Sequence, residues 1–187
     1  MSLLQVSEVR VIVKQESLKC KRYSSNVWEQ HITLVVSYAK MLAKKFGGSE
    51  ETVELAALLH DLGSMKYGED NHEITGQKEA ERILKKLNYP RKDIDEIKEA
   101  IGSHRGSKDI KPKSLTAKIL ANADAMAHFD VIPVLLRVGL DKYNKDEKLA
   151  AKWVLEKLER DWTKKLTIPE AKKMVEGKYQ AAKLLLR

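Results

Sequence analysis

Cysteine is almost absent from this chain, whose 187 residues include only Cys20. One cysteine cannot form an internal disulfide or a cysteine-rich zinc site, so any metal ion must be held by nitrogen and oxygen atoms. The chain also has only 9 glycines and 4 prolines, fewer turn residues than a β-sandwich or a barrel needs. Because alanine, leucine, lysine and glutamate are abundant instead, the composition predicts an all-α fold.

Long apolar runs are missing as well. The sequence has no stretch of about 18 consecutive apolar residues, and its basic, amphipathic N-terminus lacks the apolar core of a signal peptide. We therefore expect neither membrane spanning nor export. A lone cysteine is typical of a reducing compartment, so we expect a cytoplasmic protein.

Four common catalytic motifs are absent too. The sequence contains no G-x-x-x-x-G-K-[ST] loop, no G-x-G-x-x-G fingerprint, no G-x-S-x-G elbow and no H-E-x-x-H helix. Mechanisms that depend on those motifs have no support here.

Basic residues exceed acidic ones, 35 to 27, which gives a formal net charge of +8. This excess favours anionic ligands, but it also fits a solvated, lysine-rich helical surface. The lysines are spread along predicted helices and form no recognisable base-stacking pattern with aromatic residues, so nucleic-acid binding is not implied.

Length and periodicity predict one compact helical domain. A chain of 187 residues with 43% apolar residues is large enough for one core. The polar segment from Ser64 to Asn71 is typical of an exposed loop. The predicted helices cover residues 4–20, a segment from Ser24 or Ser25 as N-cap to Gly47, a segment from Ser49 as N-cap to Asp61, a segment from His72 to Asn88, and residues 91–104, 115–129, 134–140, 147–166 and 169–186, the last with Thr167 as its N-cap.

The segment Ala56–Gly63 is the most informative part of the sequence. An apolar helical run ends there in His60 and Asp61, and an unpaired carboxylate in such surroundings is costly or becomes protonated. Neighbouring side chains on a helix point about 100° apart. Both can therefore reach one partner only if it lies over the helix end, where Gly63 lets the chain turn. A metal ion fits that description.

Three further histidines and one aspartate also lie on apolar helix faces or at helix ends. His31 lies near an apolar stripe, where a core histidine and a ligand are both consistent with the pattern, and His72 and His104 lie at predicted helix ends. Asp124 lies within a predicted helix rich in alanine, on the side that we expect to face the core of the protein. An ionised carboxylate there needs either a cation or several hydrogen bonds, for instance from the backbone or from Asn122.

Taken in order, these residues resemble the ligand pattern of the HD-domain superfamily of metal-dependent phosphohydrolases. That all-helical family is defined by a histidine, an adjacent His-Asp pair and a distal aspartate on four helices. The resemblance covers about residues 24–130 and assigns the metal-ligand roles to His31, His60, Asp61 and Asp124.

Many members of the family carry two further histidines that bind a second ion, with the first aspartate as the bridge. His72 and His104 match those positions, so the resemblance implies one or two ions, with Asp61 bridging if there are two. Imidazole and carboxylate ligands suit Mn, Fe, Co, Ni or Zn, with Mg as a further option. His128 is outside the pattern, and we expect it to be structural or to support a ligand.

The resemblance implies hydrolysis of a nucleotide or another small phosphoester by a metal-activated water. Asp61, His60 and Arg105 would be the catalytic residues, and Lys66, Arg105 and Lys108 the candidates for contact with the substrate phosphate. An isolated lysine in a basic chain also fits a surface position. The signalling subtype of the family usually has a lysine where this chain has Ser64. This difference argues against cyclic dinucleotides as the substrate.

Two other functions stay open at this point. Some HD-domain proteins are di-iron oxygenases, and a non-catalytic regulatory module could bind a phosphorylated ligand through the basic surface. We expect a single domain over residues 1–187, with an HD-like core at about 24–130 and a helical extension at about 131–187. The extension shows no catalytic pattern, and we expect it to pack over the core or to form a homo-oligomer contact.

Overall fold

The structure, a computed structural model, describes residues 3–20, 26–108 and 110–186. Within these ranges the chain forms helices and turns and no strand, which confirms the predicted all-α fold. The candidate caps Ser24 and Ser25 lie outside the described residues. The helices are α1 (Leu3–Lys19), α2 (Thr33–Phe46), α3 (Glu50–Leu59), α4 (Leu62–Tyr67), α5 (His72–Lys86), α6 (Arg91–Ser103), α7 (Leu115–Asp130), α8 (Ile132–Lys142), α9 (Glu147–Arg160) and α10 (Pro169–Leu185), with π-helical turns at Trp28–Ile32 and Asp161–Lys165.

Helix α7 is the centre of the fold and packs against α2, α3, α6 and α10. Its side chains are buried along almost its whole length, with Leu115 and Lys118 exposed near the start. Four small residues alternate along this helix, at Ala121, Ala123, Ala125 and Ala127. Small side chains let neighbouring helices approach closely from several sides, so α7 brings residues from distant parts of the chain together.

Helix α2 ends and helix α3 begins where the sequence predicts, whereas α2 itself begins at Thr33, after the π-helical turn Trp28–Ile32. Gly47 has a φ of 86°, a conformation that suits glycine, and it ends α2. The hydroxyl of Ser49 accepts a hydrogen bond from the backbone N–H of Thr52 at 3.1 Å, which confirms Ser49 as the N-cap of α3. Helix α3 therefore delivers His60 and Asp61 at its C-terminal end.

The predicted exposed loop from Ser64 to Asn71 is wrong in its first half. Residues Leu62–Tyr67 form the short helix α4, and Gly63, Ser64 and Met65 are buried. The cause is a close crossing of α4 over α5. A Cβ atom added to Gly63 would lie 2.5 Å from the backbone nitrogen of Gly76 and 2.5 Å from the carbonyl oxygen of His72. Tertiary contact at two glycines thus overrides a polar, loop-like composition.

The C-terminal helices pack back onto the centre. Helix α10 and the turn Asp161–Lys165 both contact α7. Thr167 is not the N-cap predicted for the last helix, because Ile168 takes that position without a side-chain cap of its own. The amide of Asn122 supplies the cap instead. Its oxygen accepts from the N–H of Ile168 at 3.0 Å, and its nitrogen donates to the Thr167 hydroxyl at 3.1 Å. The division into a core and an extension stays a prediction.

In the part of the chain that the structure describes, no single helix is long and apolar enough to cross a membrane. Helices α7 and α8 would meet the criteria of length and composition only as a pair, and they are bent by 83° at the break between them.

Candidate metal centre

Six of the residues singled out in the sequence come together as two groups of three. His31, His60 and Asp124 form one group, and Asp61, His72 and His104 form the other. Within each group the candidate ligand atoms all lie within 4.8 Å of one another. We call them the first and the second donor set.

The donors come from helix ends and from the middle of α7. The π-helical turn Trp28–Ile32 carries His31, α5 begins at His72, and His104 follows directly after α6. Asp61 has φ −100° and ψ 6°, outside the helical region, so the chain breaks between α3 and α4 at this residue. Each of these positions places a donor side chain close to the other members of its group.

Three of the histidines are held in the same way. In each, the Nδ1 atom bonds a backbone carbonyl three residues earlier in the chain. The pairs are His60 with Ala57 at 2.8 Å, His72 with Glu69 at 3.0 Å, and His104 with Ile101 at 2.6 Å. A carbonyl oxygen only accepts, so Nδ1 carries the hydrogen and Nε2 presents its lone pair to the centre. This is the tautomer that a metal ligand needs.

Pairs of these nitrogens face each other at short range. Nε2 of His31 lies 3.2 Å from Nε2 of His60, and Nε2 of His72 lies 3.4 Å from Nε2 of His104. Two lone pairs at this distance repel unless a proton or a metal ion lies between them. Each donor set therefore contains a nitrogen pair that needs either a proton or a metal ion between its members.

Asp61 joins the two sets. Its Oδ2 atom lies 3.4 Å from Nε2 of His31 and 3.3 Å from Nε2 of His60, in the first set. Its Oδ1 atom lies 3.7 Å from Nε2 of His72 and 3.8 Å from Nε2 of His104, in the second set. The two oxygens of one carboxylate thus face different sets, which is the geometry of a bridging ligand.

Asp124 has one satisfied and one unsatisfied oxygen. Oδ2 forms an ion pair with the ammonium of Lys165. Oδ1 is buried and has no hydrogen-bond partner, although Nε2 of His31 lies 3.2 Å away. A buried carboxylate oxygen without a partner is costly. Within the described residues, Asn122 does not serve Asp124, since its amide bonds Lys118, Thr167 and Ile168.

Burial and nearby charge adjust the pKa values of these groups in opposite directions. Burial alone would raise the pKa of Asp61 and Asp124, but the interactions of Asp61 with His60 and His31, and the charge of Lys165 beside Asp124, outweigh it, and both pKa values lie well below the usual range. Burial, together with the electrostatic effect of nearby His60, lowers the pKa of His104 to about 3. Burial also acts to lower the pKa of His31, but Asp124 and Asp61 raise it to about 9. At neutral pH both carboxylates are ionised and His104 is neutral, whereas His31 must lose a proton to bind a cation.

The residues present fit a transition metal. Four imidazole nitrogens and two carboxylates converge, the nitrogens of three histidines have the right tautomer, and a buried oxygen of Asp124 lacks a partner. Mixed nitrogen and oxygen ligands suit Mn, Fe, Co, Ni or Zn better than Mg. His31, His60 and Asp124 would hold one ion, His72 and His104 a second, with Asp61 shared.

The three basic residues predicted to contact phosphate are each paired with a glutamate. Arg105 binds Glu73 at 2.5 Å, and Lys108 lies 3.5 Å from the same carboxylate. Lys66 binds Glu79 at 2.5 Å. None of the three belongs to a donor set. Their contact with a substrate phosphate stays a prediction.

Arg105 is nevertheless close to the second set. Its Nη1 atom lies 3.4 Å from the carbonyl oxygen of Glu69, which also accepts from Nδ1 of His72.

Sequence reasoning missed two charged neighbours of the centre, Asp161 and Lys165. Nδ1 of His128 bonds Oδ2 of Asp161 at 2.8 Å, and Nε2 of His128 lies 3.4 Å from Oδ1 of Asp124. The ring of His128 also stacks on that of His31, with centroids 5.1 Å apart. The spacing of four residues between Asp124 and His128 is visible in the sequence, but nothing there indicates that Asp161 lies behind them.

The HD-domain family model matches residues 28–128, more than half of the chain, and the chain belongs to this family. All six donors and His128 lie inside the matched region. Asp161 and Lys165 lie outside it.

Two solved structures show the same fold. A predicted HD superfamily hydrolase from an uncultured Thermotogales bacterium is 24% identical, with a TM-score of 0.63 over 96% of this chain and 88% of that protein. A protein from Lactobacillus plantarum is 17% identical, with a TM-score of 0.77 over 100% of this chain and 95% of that protein.

One curated relative is similar in sequence. A tRNA (cytidine(56)-2'-O)-methyltransferase from Picrophilus torridus is 30% identical over 128 residues, which is 61% of this chain. The match spans 35% of that relative, about a third of its length.

Proposed function

We propose that this protein is a metal-dependent phosphohydrolase that acts on a nucleotide or another small phosphoester. The observation that carries the proposal is the pair of donor sets joined by Asp61, whose two oxygens face different histidine pairs. Membership of the HD-domain family supports a metal-dependent hydrolase in general. The phosphoester as substrate is our inference from the chemistry of the site.

A divalent cation bound here would lower the pKa of a water molecule and polarise a phosphoryl oxygen. The protein's own contribution is orientation. The carbonyls of Ala57, Glu69 and Ile101 fix three imidazole rings, so these ligands lose little entropy when they bind an ion. Asp61 is the more exposed of the two carboxylate donors, with 17% of its side chain accessible against 4% for Asp124. The substrate would therefore approach from the side of Asp61.

Arg105 is the best placed of the three basic residues for the substrate phosphate. It uses Nη1 to bind Glu73 and the carbonyl of Glu69, and a guanidinium has five N–H donors in all. The glutamate holds the side chain in place beside His72, and the remaining face of the fork can meet phosphoryl oxygens. Lys108, on the other side of Glu73, adds positive charge.

The second donor set also favours a second candidate, a di-iron oxygenase. Two histidines beside a bridging carboxylate would hold a second iron next to the first. This candidate predicts iron-dependent uptake of O₂. The methyltransferase activity named for the Picrophilus relative belongs to a protein of which this chain matches about a third, and the donor sets do not call for it.

The test begins with protein purified without added metal or chelator, whose transition metals are quantified by elemental analysis. Hydrolysis of p-nitrophenyl phosphate and of nucleoside mono-, di- and triphosphates is then measured with Mn²⁺, Co²⁺, Ni²⁺, Zn²⁺ or Mg²⁺. We expect turnover that Asp61→Ala reduces at least about 100-fold, since a bridging ligand affects both ions. Asp70→Ala, in the exposed turn before α5, is the matched control and should retain activity.

Each other outcome has a clear meaning. Hydrolysis that is unaffected by Asp61→Ala would contradict the proposal. Iron-dependent O₂ uptake without hydrolysis would favour the oxygenase. Binding of a phosphorylated ligand that survives Asp61→Ala, with no turnover, would indicate a regulatory module. A cytoplasmic location and a small phosphorylated substrate as partner stay predictions, and homo-oligomer formation stays open.

A further inference from the structure

Lys165 is a buried lysine that belongs to neither donor set. Only 5% of the residue is exposed, and it lies in the turn Asp161–Lys165, beyond the region matched by the HD-domain family. Burying an ammonium group is costly unless carboxylates pair with it. Its partners should therefore show what this residue does.

Two carboxylates surround the ammonium group. It forms an ion pair with Oδ2 of Asp124, and its Nζ atom lies 3.7 Å from Oδ1 of Asp161. Asp161 in turn bonds Nδ1 of His128 through Oδ2, at 2.8 Å. Lys165 thus links Asp124 on α7 to a carboxylate of the C-terminal part of the chain.

This contact gives the two oxygens of Asp124 different roles. Lys165 takes Oδ2, whereas Oδ1 lies among imidazole nitrogens, 3.2 Å from His31 and 3.7 Å from His60. A charge-assisted bond to one oxygen fixes the rotation of the carboxylate. The other oxygen is then directed into the first donor set.

The side chain of Lys165 passes Gly106 on its way to Asp124. A Cβ added to Gly106 would lie 3.1 Å from Cδ and 3.2 Å from Cγ of Lys165. Gly106 follows two residues after His104, so Lys165 contacts both the segment that carries a donor of the second set and the helix that carries Asp124.

We propose that Lys165 is a positioning residue for Asp124: it holds Oδ2, presents Oδ1 to the metal ion of the first donor set, and makes the C-terminal helices a part of the metal centre. This inference rests on the metal centre of the proposed function, but not on the reaction. Asp161 holds the lysine in place.

The test is direct metal binding, measured by calorimetric titration of the metal-free full-length protein with Co²⁺. Loss of a group that orients a ligand typically weakens metal binding about 10- to 100-fold, and we expect this range for Lys165→Met. The visible absorption spectrum of bound Co²⁺, which reports ligand geometry, should change as well. A lysine that served only the packing of the fold would leave that spectrum unchanged.

Lys157→Met is the matched control. Lys157 lies in the same part of the chain, 4.0 Å from Asp161 through Nζ, so its loss removes the same charge from the same region. It does not contact Asp124 among the described ion pairs, and we expect affinity within about threefold of wild type and an unchanged Co²⁺ spectrum. This comparison separates the contact with Asp124 from the general effect of charge.

Asp161→Asn covers the case in which Lys165→Met does not fold, because it keeps the shape of the side chain. We expect it to weaken Co²⁺ binding severalfold by releasing Lys165. Equal or tighter binding by a folded Lys165→Met protein, or by Asp161→Asn if only that variant folds, would overturn the inference. Failure of the wild-type protein to bind Co²⁺ would instead contradict the proposed metal centre itself.

Discussion

Nε2 of His72 and Nε2 of His104 face each other at 3.4 Å in a buried site. Each ring already gives its Nδ1 hydrogen to a backbone carbonyl, so both facing nitrogens carry lone pairs when the rings are neutral. Protonation of His104 does not relieve this repulsion at neutral pH, because burial and the electrostatic effect of nearby His60 lower its pKa to about 3. A metal ion held by the two nitrogens would relieve it.

The first prediction concerns the number of ions. We expect the wild-type protein to bind about two ions per chain, as two-metal sites do, and His104→Gln to bind about one, because the first donor set does not include His104. Elemental analysis after reconstitution with Mn²⁺ and gel filtration measures both values. Asp70→Asn, in the exposed turn before α5, should keep the wild-type ratio. The same number of metal ions per chain in wild type and His104→Gln would contradict the assignment of the second donor set.

The convergence of the six residues in the two donor sets could be predicted from the sequence, because their order resembles the ligand pattern of the HD-domain family. An aspartate after an apolar helix and another within a helix rich in alanine each need a cation or several hydrogen bonds when they are buried. The division of the six residues into two sets, with Asp61 between them, is the one that the resemblance to the HD-domain family implies. The break of the helix at Asp61, with its φ of −100°, lets the two oxygens of this carboxylate face both sets.

The role of Lys165, in contrast, could not be predicted from the sequence. The C-terminal part of the chain has the ordinary pattern of lysine, glutamate and leucine in amphipathic helices. A lysine in that pattern looks the same whether it faces water or a buried carboxylate. Its role depends on contact with Asp124, 41 residues earlier, and local periodicity contains no information on such contacts.

The second prediction tests the crossing of α4 and α5. Gly63→Ala places a Cβ atom 2.5 Å from two backbone atoms, which cannot move aside like a flexible side chain. Overpacking of this kind typically costs about 1–3 kcal/mol in the free energy of unfolding, occasionally more. One of the two atoms is the carbonyl oxygen of His72, so the second donor set should be disturbed as well. Urea denaturation of the metal-free protein measures the loss of stability.

Gly177→Ala is the matched control for this substitution. Gly177 is exposed within α10, and an added Cβ would meet no atom within 4 Å. Alanine in a helix interior is favoured over glycine by roughly 0.5–1 kcal/mol, so this variant should be more stable than wild type. A Gly63→Ala protein as stable as wild type would show that the two helices do not cross as described.

The third prediction concerns acid stability and Glu79. This buried carboxylate accepts hydrogen bonds from Lys66, Arg82 and Tyr67. Burial alone would raise its pKa, but the bonds from Arg82 and Lys66 outweigh burial and lower the pKa from 4.5 to about 2. Between these values the unfolded chain binds more protons than the folded chain. The contribution of Glu79 is therefore complete above about pH 4.5 and is lost as the pH falls toward 2.

In Glu79→Gln, stability should depend less on pH between pH 4.5 and pH 2 than it does in wild type. Melting temperatures are measured from pH 7 to pH 2 in a chelator, so that metal release does not contribute. The difference between wild type and Glu79→Gln should shrink as the pH falls below 4.5. Glu176→Gln, on the exposed face of α10, should follow the wild-type profile. A constant difference across the whole range would contradict the assignment.

The last prediction separates Arg105 from the other basic residues. Its guanidinium lies at the carbonyl that orients His72, so it should stabilise the phosphoryl group during hydrolysis. A charge-assisted hydrogen bond contributes about 1.5–3 kcal/mol, which corresponds to a loss in kcat/KM of roughly 10- to 100-fold for Arg105→Gln. Arg105→Lys should recover only part of the lost kcat/KM, because an ammonium group cannot bind a phosphate in two places.

Arg82→Gln provides the control, since Arg82 is an arginine paired with Glu79 and not with Glu73. It should retain kcat/KM within about threefold, and all three variants should keep the metal content of the wild type because no arginine belongs to a donor set. If Arg105→Gln hydrolyses the substrate as fast as wild type, the phosphate must be met by another cation. Lys108, on the other side of Glu73 at 3.5 Å, would then be the residue to replace, because it is the other basic side chain that this carboxylate holds beside His72.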